Sequence, residues 1–431
     1  MNKMTRFLFL FLYKNYLLKT APPNLKMKCC LNAFEMILLL CNINKKIWIG
    51  VPHSGRMEVF MKRKMSGALM AAILAVSMVA GCSTSASPVT GDAGTAGTTT
   101  GKAENSSKGE LPILGAGIYS SSDNFNSYIG KAIKNACNGV FTTNIEDGQN
   151  DQSTQNNQVD TMLAKGAKVI AVSVVDVTAA PTLIEKCKAA GNVPIIFFNK
   201  EITDQSVIAS YDKAYQVTST GGDYGASIEG QMIVDYWKAN PKMDKNADGK
   251  LQLVDLMGDP GHTAAQPRAD FAKKTITDAG IPIELLEEDT GMWDTAKAKD
   301  KMDAWISKYG DQIEAVICGN DAMALGALQS IQTAGFNTKG MESEKYIPII
   351  GIDALPEMLN KIESGEVIGS VLQDAKTQGK TIVGMAGNLA GGKDVMTGID
   401  LKMEAGAQAV RVPYQAITKE NLDVAKSTYA E

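Results

Sequence analysis

Histidine is nearly absent from this 431-residue sequence, which contains only His53 and His262. A metal centre built from several imidazoles is therefore excluded. The sequence also contains neither a G-x-G-x-x-G motif nor a Walker A lysine. A glycine-containing turn at 258–262 includes Pro260, which has no backbone N–H to offer a phosphate. A nucleotide cofactor is not expected.

Basic residues are scarce after the first 81 residues. Residues 1–81 contain twelve Lys and Arg against two Asp and Glu, which leaves 31 against 45 in residues 82–431. The formal net charge of −4 thus combines a basic leader with an acidic body. Because phosphate binding needs a basic surface, nucleic acid is not expected to be a partner.

The seven cysteines form no regular framework. Cys29, Cys30 and Cys41 lie in the leader, and Cys82 follows it. The remaining three stand among apolar or small neighbours: Cys137, Cys187 and Cys318. An odd number without paired spacing predicts buried free thiols rather than disulfides.

The segment from Met61 has the three parts of a secretory signal. Three basic residues at 62–64 precede an apolar run at 68–79, and small residues follow up to Gly81. The run is too short for a permanent membrane span. Because Cys82 directly follows Ala-Gly, the boundary resembles a bacterial lipobox, in which this cysteine is diacylated. We expect a lipoprotein signal peptide over 61–81 and a lipid on Cys82.

The segments on either side of this signal predict no fold. Codons for residues 57–60 can contain a ribosome-binding sequence just before the Met61 codon, so residues 1–60 are interpreted as a spurious upstream extension. Residues 82–110 are rich in Ser, Thr, Gly and Ala. Such a composition cannot bury enough surface to fold and predicts a flexible tether.

Strand-like and helical patterns alternate from residue 111 onward. Amphipathic helical patterns are clear at 124–136, 153–165 and 296–308. The predicted strands are 113–119, 140–144, 169–175, 193–198, 251–257, 283–288, 315–318, 347–352 and 368–372. This alternation predicts an α/β protein with Rossmann-like parallel sheets covered by helices on both faces. The length of the body predicts about two domains.

Polar side chains stand at or just past the ends of several predicted strands. They are Asp123, Asn199, Asn320, Asp353 and Asp374. Any one of them can be explained as a helix N-cap, a position that Asp and Asn favour. Five of them in both halves of the body favour a shared crevice, because open parallel sheets bind ligands beyond the carboxyl ends of their strands.

Residues 244–252 match the first nine positions of an EF-hand calcium loop, with Gly249 at the turn. Oxygen donors stand at positions one, three, five, seven and nine: Asp244, Asn246, Asp248, the Lys250 carbonyl and Gln252. Position twelve is Asp255, inside a predicted strand, so the closing bidentate ligand must come from elsewhere. Asp, Asn and Gly also cluster in ordinary turns, but the full spacing favours a metal.

Two aromatic residues are suited to a neutral polyol. The rings of Phe125 and Trp293 can cover the apolar C–H face of a sugar, while Asp, Asn and Arg side chains hydrogen-bond its hydroxyls. Each group buried without a partner costs about 1–3 kcal/mol, so the polar set has to be nearly complete. On its own, Trp293 is more often a core residue than a platform.

Eight stretches of the sequence together indicate a family. They read DNF from Asp123, QNDQS from Gln149, FFNKE from Phe197, SYDKAY from Ser210, MWDTA from Met292, NDAMA from Asn320, DALPE from Asp353 and RVPY from Arg411. In this order, over roughly 111–422, they resemble the galactose/glucose-binding receptors of sugar ABC transporters. These belong to the periplasmic-binding-protein type I family.

The resemblance implies two similar lobes joined by three crossings, near 218–220, 372–373 and 411–412. The expected N-terminal lobe is 111–219 with 373–411. The expected C-terminal lobe is 220–372 with 412–431 and contains the calcium loop. The resemblance further implies that a sugar is enclosed by hinge closure, a motion known for periplasmic binding proteins.

Carried over residue by residue, the resemblance makes Phe125 and Trp293 the stacking platforms. The implied polar contacts of the sugar are Asp123, Asn199, His262, Arg268, Asn320, Asp353 and Gln373. Glu314 falls where the family supplies its bidentate calcium carboxylate, which completes the ligand set for a structural Ca²⁺.

Two positions depart from the family pattern. Ala264 stands where the family has an Asp that accepts from a sugar hydroxyl, and Gln373 stands where it has an Asn. Losing a charged hydrogen bond removes about 1.5–3 kcal/mol of affinity. Water or a different substituent can fill the space at Ala264. Galactose or glucose is the leading candidate ligand, and a different monosaccharide is the alternative.

The sequence therefore predicts a receptor without catalysis, anchored by its lipid at the outer face of the bacterial cell membrane. Its expected partners are a monosaccharide, an ABC permease and, as an open alternative, a chemoreceptor; the receptor is expected to be monomeric. A sugar-active enzyme with Asp123 and Asp353 as paired carboxylates is less favoured. A sugar-responsive regulator needs a basic helix-turn-helix where this chain has its leader and tether.

Overall fold

The computed structural model describes residues 110–219 and 222–430. The expectations for the upstream extension, the signal peptide, Cys82 and the tether up to residue 109 lie outside these described residues. The chain divides into units 1–101 and 102–431, and every described residue belongs to the second, compact unit. No helix in the described part is long and apolar enough to cross a bilayer.

Strands and helices alternate along the second unit. The strands are β1 Leu114–Ile118, β2 Ile145–Asp147, β3 Val169–Val172, β4 Ile195–Phe198, β5 Ala214–Ser219, β6 Leu251–Met257, β7 Ile283–Thr290, β8 Ala315–Cys318, β9 Ile349–Asp353, β10 Gly369–Leu372, β11 Met403–Glu404, β12 Ala409–Val412 and β13 Gln415–Ile417. The α-helices are α1 Asn124–Ala136, α2 Gln152–Ala164, α3 Ala180–Ala189, α4 Gln205–Ala209, α5 Gly222–Ala239, α6 Ala265–Asp278, α7 Thr295–Tyr309, α8 Asp321–Thr333, α9 Pro356–Glu363, α10 Ala375–Ala390 and α11 Leu422–Tyr429. Short 3-10 helices lie at Val177–Ala179, Pro241–Met243 and Gly310–Gln312.

The strands form two sheets, which confirms the predicted α/β fold with two parallel-dominated layers. One sheet has the order β11-β12-β5-β4-β3-β1-β2, and the other β13-β10-β9-β8-β6-β7. Only β11 with β12 and β13 with β10 pair antiparallel. In each sheet the earliest strand, β1 or β6, lies between the second and third strands, so the chain changes direction there. The carboxyl ends at such switch points are where open α/β sheets bind ligands.

Both faces of each sheet are buried, which explains the near-continuous apolar strands. In β3, Val169 and Ala171 pack into one cluster, whereas Ile170 and Val172 pack into the cluster on the opposite face. In β8, residues 315–318 divide in the same alternating way between two other clusters. The three described cysteines are buried free thiols, as predicted.

Helix starts were well marked by the sequence. Asp123 caps α1 by accepting a hydrogen bond from the Asn126 N–H at 2.7 Å. Asn320 and Asp374 cap α8 and α10 in the same way. The N-cap explanation therefore holds for three of the five polar residues that follow strands. It fails for Asn199 and Asp353, whose side chains cap no helix in the described structure.

The predicted strand at 140–144 is wrong. The Val140 N–H bonds to the Cys137 carbonyl in the turn that ends α1, and only Thr142 bridges to Ile113. The strand in this region is β2, which begins at Ile145, directly after the predicted range ends. The apolar pair at 140–141 suggested a strand, but the Val140 side chain is exposed.

The chain passes between the sheets at three places. After β5 the chain enters α5, with residues 220–221 outside the described part. Two residues, Gln373 and Asp374, separate β10 from α10. Val412 still pairs with Ser219 in the first sheet, one residue past the expected boundary, and the second sheet resumes at β13.

Candidate functional site

A cavity lies between the two sheets, at the carboxyl ends of their strands. It contains about 270 Å³ of space between atoms, open solvent included. We call the lobe built on the first sheet the first lobe and the lobe built on the other sheet the second lobe. The cavity walls are Tyr119, Asp123, Phe125 and Asn199 from the first lobe, and His262, Arg268, Trp293, Asn320 and Asp353 from the second lobe. Eight of these nine residues are ones that the resemblance implied. We call this space the cleft.

The first-lobe wall is built from the ends of β1 and β4. Tyr119 directly follows β1, and its hydroxyl bonds to the Asp123 carboxylate. Phe125 lies in the first turn of α1, is 5% exposed, and packs into the core beneath the cleft. Asn199 follows β4 with a φ of 64°, a left-handed conformation that Asn tolerates better than most residues.

Trp293 is held in position by the turn after β7. Met292 and Trp293 both have positive φ, at 56° and 60°, which is unusual for a large aromatic residue. The Thr290 hydroxyl supports this turn by donating to the Gly258 carbonyl at 2.6 Å and accepting from the Met292 N–H. A Cβ on Gly258 would lie 2.0 Å from the indole ring. The ring therefore sits directly on glycine backbone.

Asp353 ends β9 in a strained conformation. Its φ is 129°, and the next residue, Ala354, also has a positive φ of 52°. The Asp353 carbonyl accepts from the Tyr429 hydroxyl at 2.9 Å, which anchors the backbone. The side chain is buried, and its Oδ2 has no partner among the described residues. Burial raises the pKa of Asp353 well above its ordinary value, although the nearby Arg268 opposes this shift.

Arg268 joins the cleft to the rest of the second lobe. Its two terminal nitrogens donate to the Gly319 carbonyl at 2.6 Å, to Gln373 Oε1 at 2.8 Å and to the Tyr414 hydroxyl at 3.0 Å. Its Nε has no partner among the described residues. The guanidinium also lies 5.6 Å from the centre of the Trp293 ring.

His262 is arranged to donate a hydrogen bond. Its Nδ1 accepts from the Ala264 N–H at 3.1 Å, so the proton of a neutral ring must be on Nε2. Burial, with Lys200 and Arg268 nearby, lowers the pKa of His262 well below its ordinary value. The ring stands edge-on to Trp293, with centroids 5.3 Å apart.

Three polar atoms of the cleft residues are buried and have no partner in the described part of the chain: Asp353 Oδ2, Arg268 Nε and Trp293 Nε1. Each such group costs about 1–3 kcal/mol unless something binds to it. One is an acceptor and two are donors, so a hydroxylated molecule, whose O–H groups do both, has matching chemistry. The cleft contains no charge pattern suited to an anion alone, because Asp123 and Asp353 both line it.

Gln373 does not line the cleft. It lies behind Arg268 and faces a second cavity, which contains about 780 Å³ of space between atoms, open solvent included. We call this the side cavity. It shares Asn199, His262 and Arg268 with the cleft, so the two spaces adjoin. Ala264 also faces the side cavity.

Tyr119 is the cleft residue that the sequence analysis missed. It ends a predicted strand four residues before Asp123, and that placement at a switch point was the available signal. Lys200 Nζ lies 4.1 Å from the centre of its ring. Burial and the adjacent Asp123 raise the pKa of Tyr119 well above its ordinary value. Tyr119 therefore stays a hydrogen-bond donor to Asp123.

Residues 244–250 form a tight loop before β6, and residues 251–252 begin the strand. Asp244 accepts from the Asp248 and Gly249 N–H groups, at 3.1 and 2.9 Å. Asn246 Oδ1 accepts from the same Asp248 N–H, at 3.0 Å. Ala247 and Gly249 have positive φ, at 58° and 75°. The side-chain oxygens at the first, third and fifth positions are thereby turned into the loop.

Glu314 lies against this loop from the start of β8. Its Oε1 accepts from the Lys245 N–H at 2.6 Å and its Oε2 from the Gln252 N–H at 3.0 Å. Gln252 is buried, and its Oε1 has no partner among the described residues. Within 110–219 and 222–430, no group of three His, Cys, Asp or Glu residues is arranged to hold a metal by itself. A cation here would also need the Asn246 and Gln252 amides and a backbone carbonyl.

The chain is similar to known proteins in sequence and in fold. The sequence model of one family, described as periplasmic binding protein domain, matches residues 116–394. The chain is 44% identical over 312 residues to the D-galactose/methyl-galactoside binding periplasmic protein of Haemophilus influenzae, covering 72% of this chain and 90% of that protein. It is 32% identical over 279 residues to a putative rhizopine-binding protein of Rhizobium meliloti, covering 64% and 80%.

Solved structures share the fold. An ABC transporter solute-binding protein from Bacillus halodurans, with bound myo-inositol, matches with a TM-score of 0.60 at 24% identity, over 74% of this chain and 99% of that one. A periplasmic solute-binding protein from Actinobacillus succinogenes, with bound D-allose, matches with a TM-score of 0.60 at 17% identity, over 73% and 99%. At these identities the likeness concerns the architecture.

Proposed function

We propose a function from one premise: the chain belongs to the periplasmic binding protein domain family, a family of solute-binding proteins. We propose that it is the sugar-binding protein of an ABC transporter and captures D-galactose or D-glucose between its lobes. The observation that carries this proposal is the cleft, where two aromatic rings accompany buried polar atoms from both lobes, three of them unpartnered.

The choice of galactose or glucose rests on the relatives. The Haemophilus relative is named for D-galactose and methyl-galactoside, and others are named for rhizopine and xylitol. All these names denote small polyhydroxylated molecules, in agreement with the chemistry of the cleft. The higher identity to the galactose-binding relative favours a hexose.

A fluorescence titration tests the binding. Purified residues 102–431 should show saturable quenching or enhancement of tryptophan emission with galactose or glucose, because Trp293 lines the cleft. The variant Trp293→Phe should lose most of the signal, since Trp237 and Trp305 lie elsewhere. A panel of monosaccharides without any response from folded protein would contradict the proposal.

Capture without chemistry is part of the same proposal. The ligand should be released unchanged to a membrane permease. A chemoreceptor that binds the closed form is the open alternative partner. The receptor should act as a monomer. Incubation of the protein with labelled galactose or glucose, followed by NMR, should recover the sugar intact. Turnover that requires Asp353 would instead indicate an enzyme.

We also propose that the protein is exported and is held at the outer face of the cell membrane by lipid on Cys82. The support is the sequence from Met61 to Cys82. Labelled palmitate should be incorporated into the protein in bacteria, and Cys82→Ala should abolish both the label and membrane retention. Labelling that persists in Cys82→Ala would overturn the proposal.

We propose that the loop at 244–252, with Glu314, holds a structural Ca²⁺. The oxygen-rich donor set fits a hard cation, and the unpartnered Gln252 Oε1 and the adjoining Glu314 carboxylate support the fit. The ligands would be the Asp244, Asn246, Asp248, Gln252 and Glu314 side chains with the Lys250 carbonyl. When bound, Ca²⁺ would neutralise the carboxylates and hold the loop against β8.

Chelation tests the calcium proposal. EDTA should lower the melting temperature of residues 102–431, and Ca²⁺ should restore it, because a ligand of the native state stabilises it by linkage. Asp248→Asn should weaken the response, whereas Asp278→Asn, on the exposed end of α6, should leave it unchanged. A melting curve unaffected by EDTA would contradict the site.

A further inference from the structure

We propose that the preferred ligand is larger than a free hexose: a neutral glycoside whose second sugar ring occupies the side cavity. This inference rests on the proposed function, because the first ring is taken to lie in the cleft. The side cavity adjoins the cleft through Asn199, His262 and Arg268, and it is the larger of the two spaces.

Ala264 lines the side cavity next to His262, one of the three residues that the two spaces share. Its N–H donates to His262 Nδ1 at 3.1 Å, and at the N-cap position of α6 its side chain makes no cap bond. A Cβ on Gly222 would lie 3.1 Å from Ala264 Cα, so the start of α5 packs closely against this position. With only a methyl group, residue 264 takes up little of the side cavity and offers a ligand no polar side-chain partner.

The lining of the side cavity suits a second sugar ring. Phe271 on α6 is 37% exposed and presents an aromatic surface. Hydroxyl-bearing side chains and an amide line other parts of it: Thr203, Thr218, Ser219, Thr263, Tyr414 and Gln373. Four of these also bond to protein: Thr218 to Arg411, Ser219 to Gln378, and both Tyr414 and Gln373 to Arg268. Sugar rings need this combination, since their C–H faces pack on aromatics and their hydroxyls exchange hydrogen bonds.

The charges of the side cavity favour a neutral ligand. Glu201 and Asp223 both line it. Glu201 is paired with Arg411, whose two terminal nitrogens donate to it at 2.8 and 2.6 Å. Arg268 is already bonded to Gly319, Gln373 and Tyr414. A carboxylate or phosphate on the second sugar ring would meet acidic side chains, so sugar acids and sugar phosphates are disfavoured.

Isothermal titration of residues 102–431 tests the inference. The ligands are D-galactose, D-glucose, their methyl α- and β-glycosides, and galactosyl and glucosyl disaccharides in both linkages. At least one disaccharide should bind ten-fold or more tightly than its parent hexose. Ala264→Leu, which adds bulk to the wall of the side cavity beside His262, should weaken that disaccharide at least ten-fold.

Phe271→Ala provides a second variant, in case Ala264→Leu fails to fold. It should remove most of the disaccharide preference and leave hexose binding within three-fold. Leu285→Ala removes a similarly exposed apolar side chain from β7, outside the lining of both cavities, and serves as the matched control. Disaccharides that bind no more than ten-fold better than hexoses, or a preference that Phe271→Ala leaves intact, would overturn the inference. Hexose binding alone would leave the proposed function standing, whereas no binding of any sugar would remove both.

Discussion

The two walls of the cleft differ in how far the protein satisfies its own polar groups. On the first-lobe wall, Asp123 is bonded to the Asn126 N–H and to Tyr119. On the second-lobe wall lie all three unpartnered atoms of the cleft residues. The second wall also contains the strained backbone at 292–293 and 353–354, whereas the first has only the left-handed Asn199.

This difference separates two ways of preparing a binding site. The first wall is made from parts that also stabilise the fold: a helix cap and a core phenylalanine. The second wall holds groups that are unfavourable until something binds to them. Substitutions on the first wall should therefore reduce both affinity and stability, and those on the second wall should reduce affinity with little loss, or even a gain, of stability.

The aromatic pair should give the largest contrast. Phe125→Ala should destabilise the protein by about 3–5 kcal/mol, as core Phe→Ala changes do. Trp293→Ala should cost less, because Trp293 is only partly buried, yet it should weaken hexose binding about ten-fold or more. Thermal unfolding and titration measure both. Equal losses of melting temperature would remove the contrast.

The two carboxylates sharpen the comparison. Asp353→Asn should weaken sugar binding about 10- to 100-fold, the value of a charge-assisted hydrogen bond of about 1.5–3 kcal/mol. It should also raise the melting temperature of ligand-free protein at pH 7.5, because a buried carboxyl group with an unpartnered oxygen, whose ionisation burial disfavours, is removed. Asp123→Asn retains the helix cap and should raise the melting temperature less. A fall in melting temperature in Asp353→Asn would contradict this view of the second wall.

Glycine positions under Trp293 give a graded test. A Cβ at Gly258 would lie 2.0 Å from the indole ring, whereas one at Gly319 would lie 3.1 Å from it. Gly258→Ala must displace the ring and should weaken binding about ten-fold, at a rotamer cost of about 0.5–1.5 kcal/mol. Gly319→Ala should have a smaller effect, measured by the same titration. The reverse order would show that the ring position does not control affinity.

The pH dependence of stability should show the smallest effect. The pKa of Asp353 is raised from its ordinary 3.8, chiefly by burial. A carboxyl whose pKa is raised in the folded state destabilises the fold when it is ionised. This destabilisation is complete at pH values above the folded-state pKa and absent at pH values below the unfolded-state pKa. The stability advantage of Asp353→Asn should therefore shrink as pH falls toward 4. Chemical denaturation at several pH values measures it, and an advantage independent of pH would contradict this cause.

Much of the fold was predictable because local signals agreed. Helix α1 was predicted at its observed bounds, since an amphipathic pattern follows the Asp123 cap. Strand β5 was missed because Gln216 interrupts its apolar run; in the fold this buried amide accepts from the Ile202 N–H at 2.8 Å. That partner lies fourteen residues away and leaves no mark in the local pattern.

The site was less predictable from residue patterns alone. The polar residues after strands indicated the correct edge of the sheets, but they could not separate the caps at Asn320 and Asp374 from the strained Asp353. The resemblance supplied His262 and Arg268, which no local pattern marks as ligand-binding. The placement of Gln373 behind Arg268 depends on contacts more than one hundred residues apart, so the side cavity emerged only from the three-dimensional structure.

Isothermal titration of residues 102–431 with D-galactose and D-glucose tests the central claim most directly. We expect one-site binding of at least one of these hexoses. Asp353→Asn should weaken that binding about 10- to 100-fold, while the variant melts at or above the temperature of the parent protein. Absence of heat with both hexoses, from protein whose melting curve is cooperative, would contradict the assignment of this cleft to a hexose.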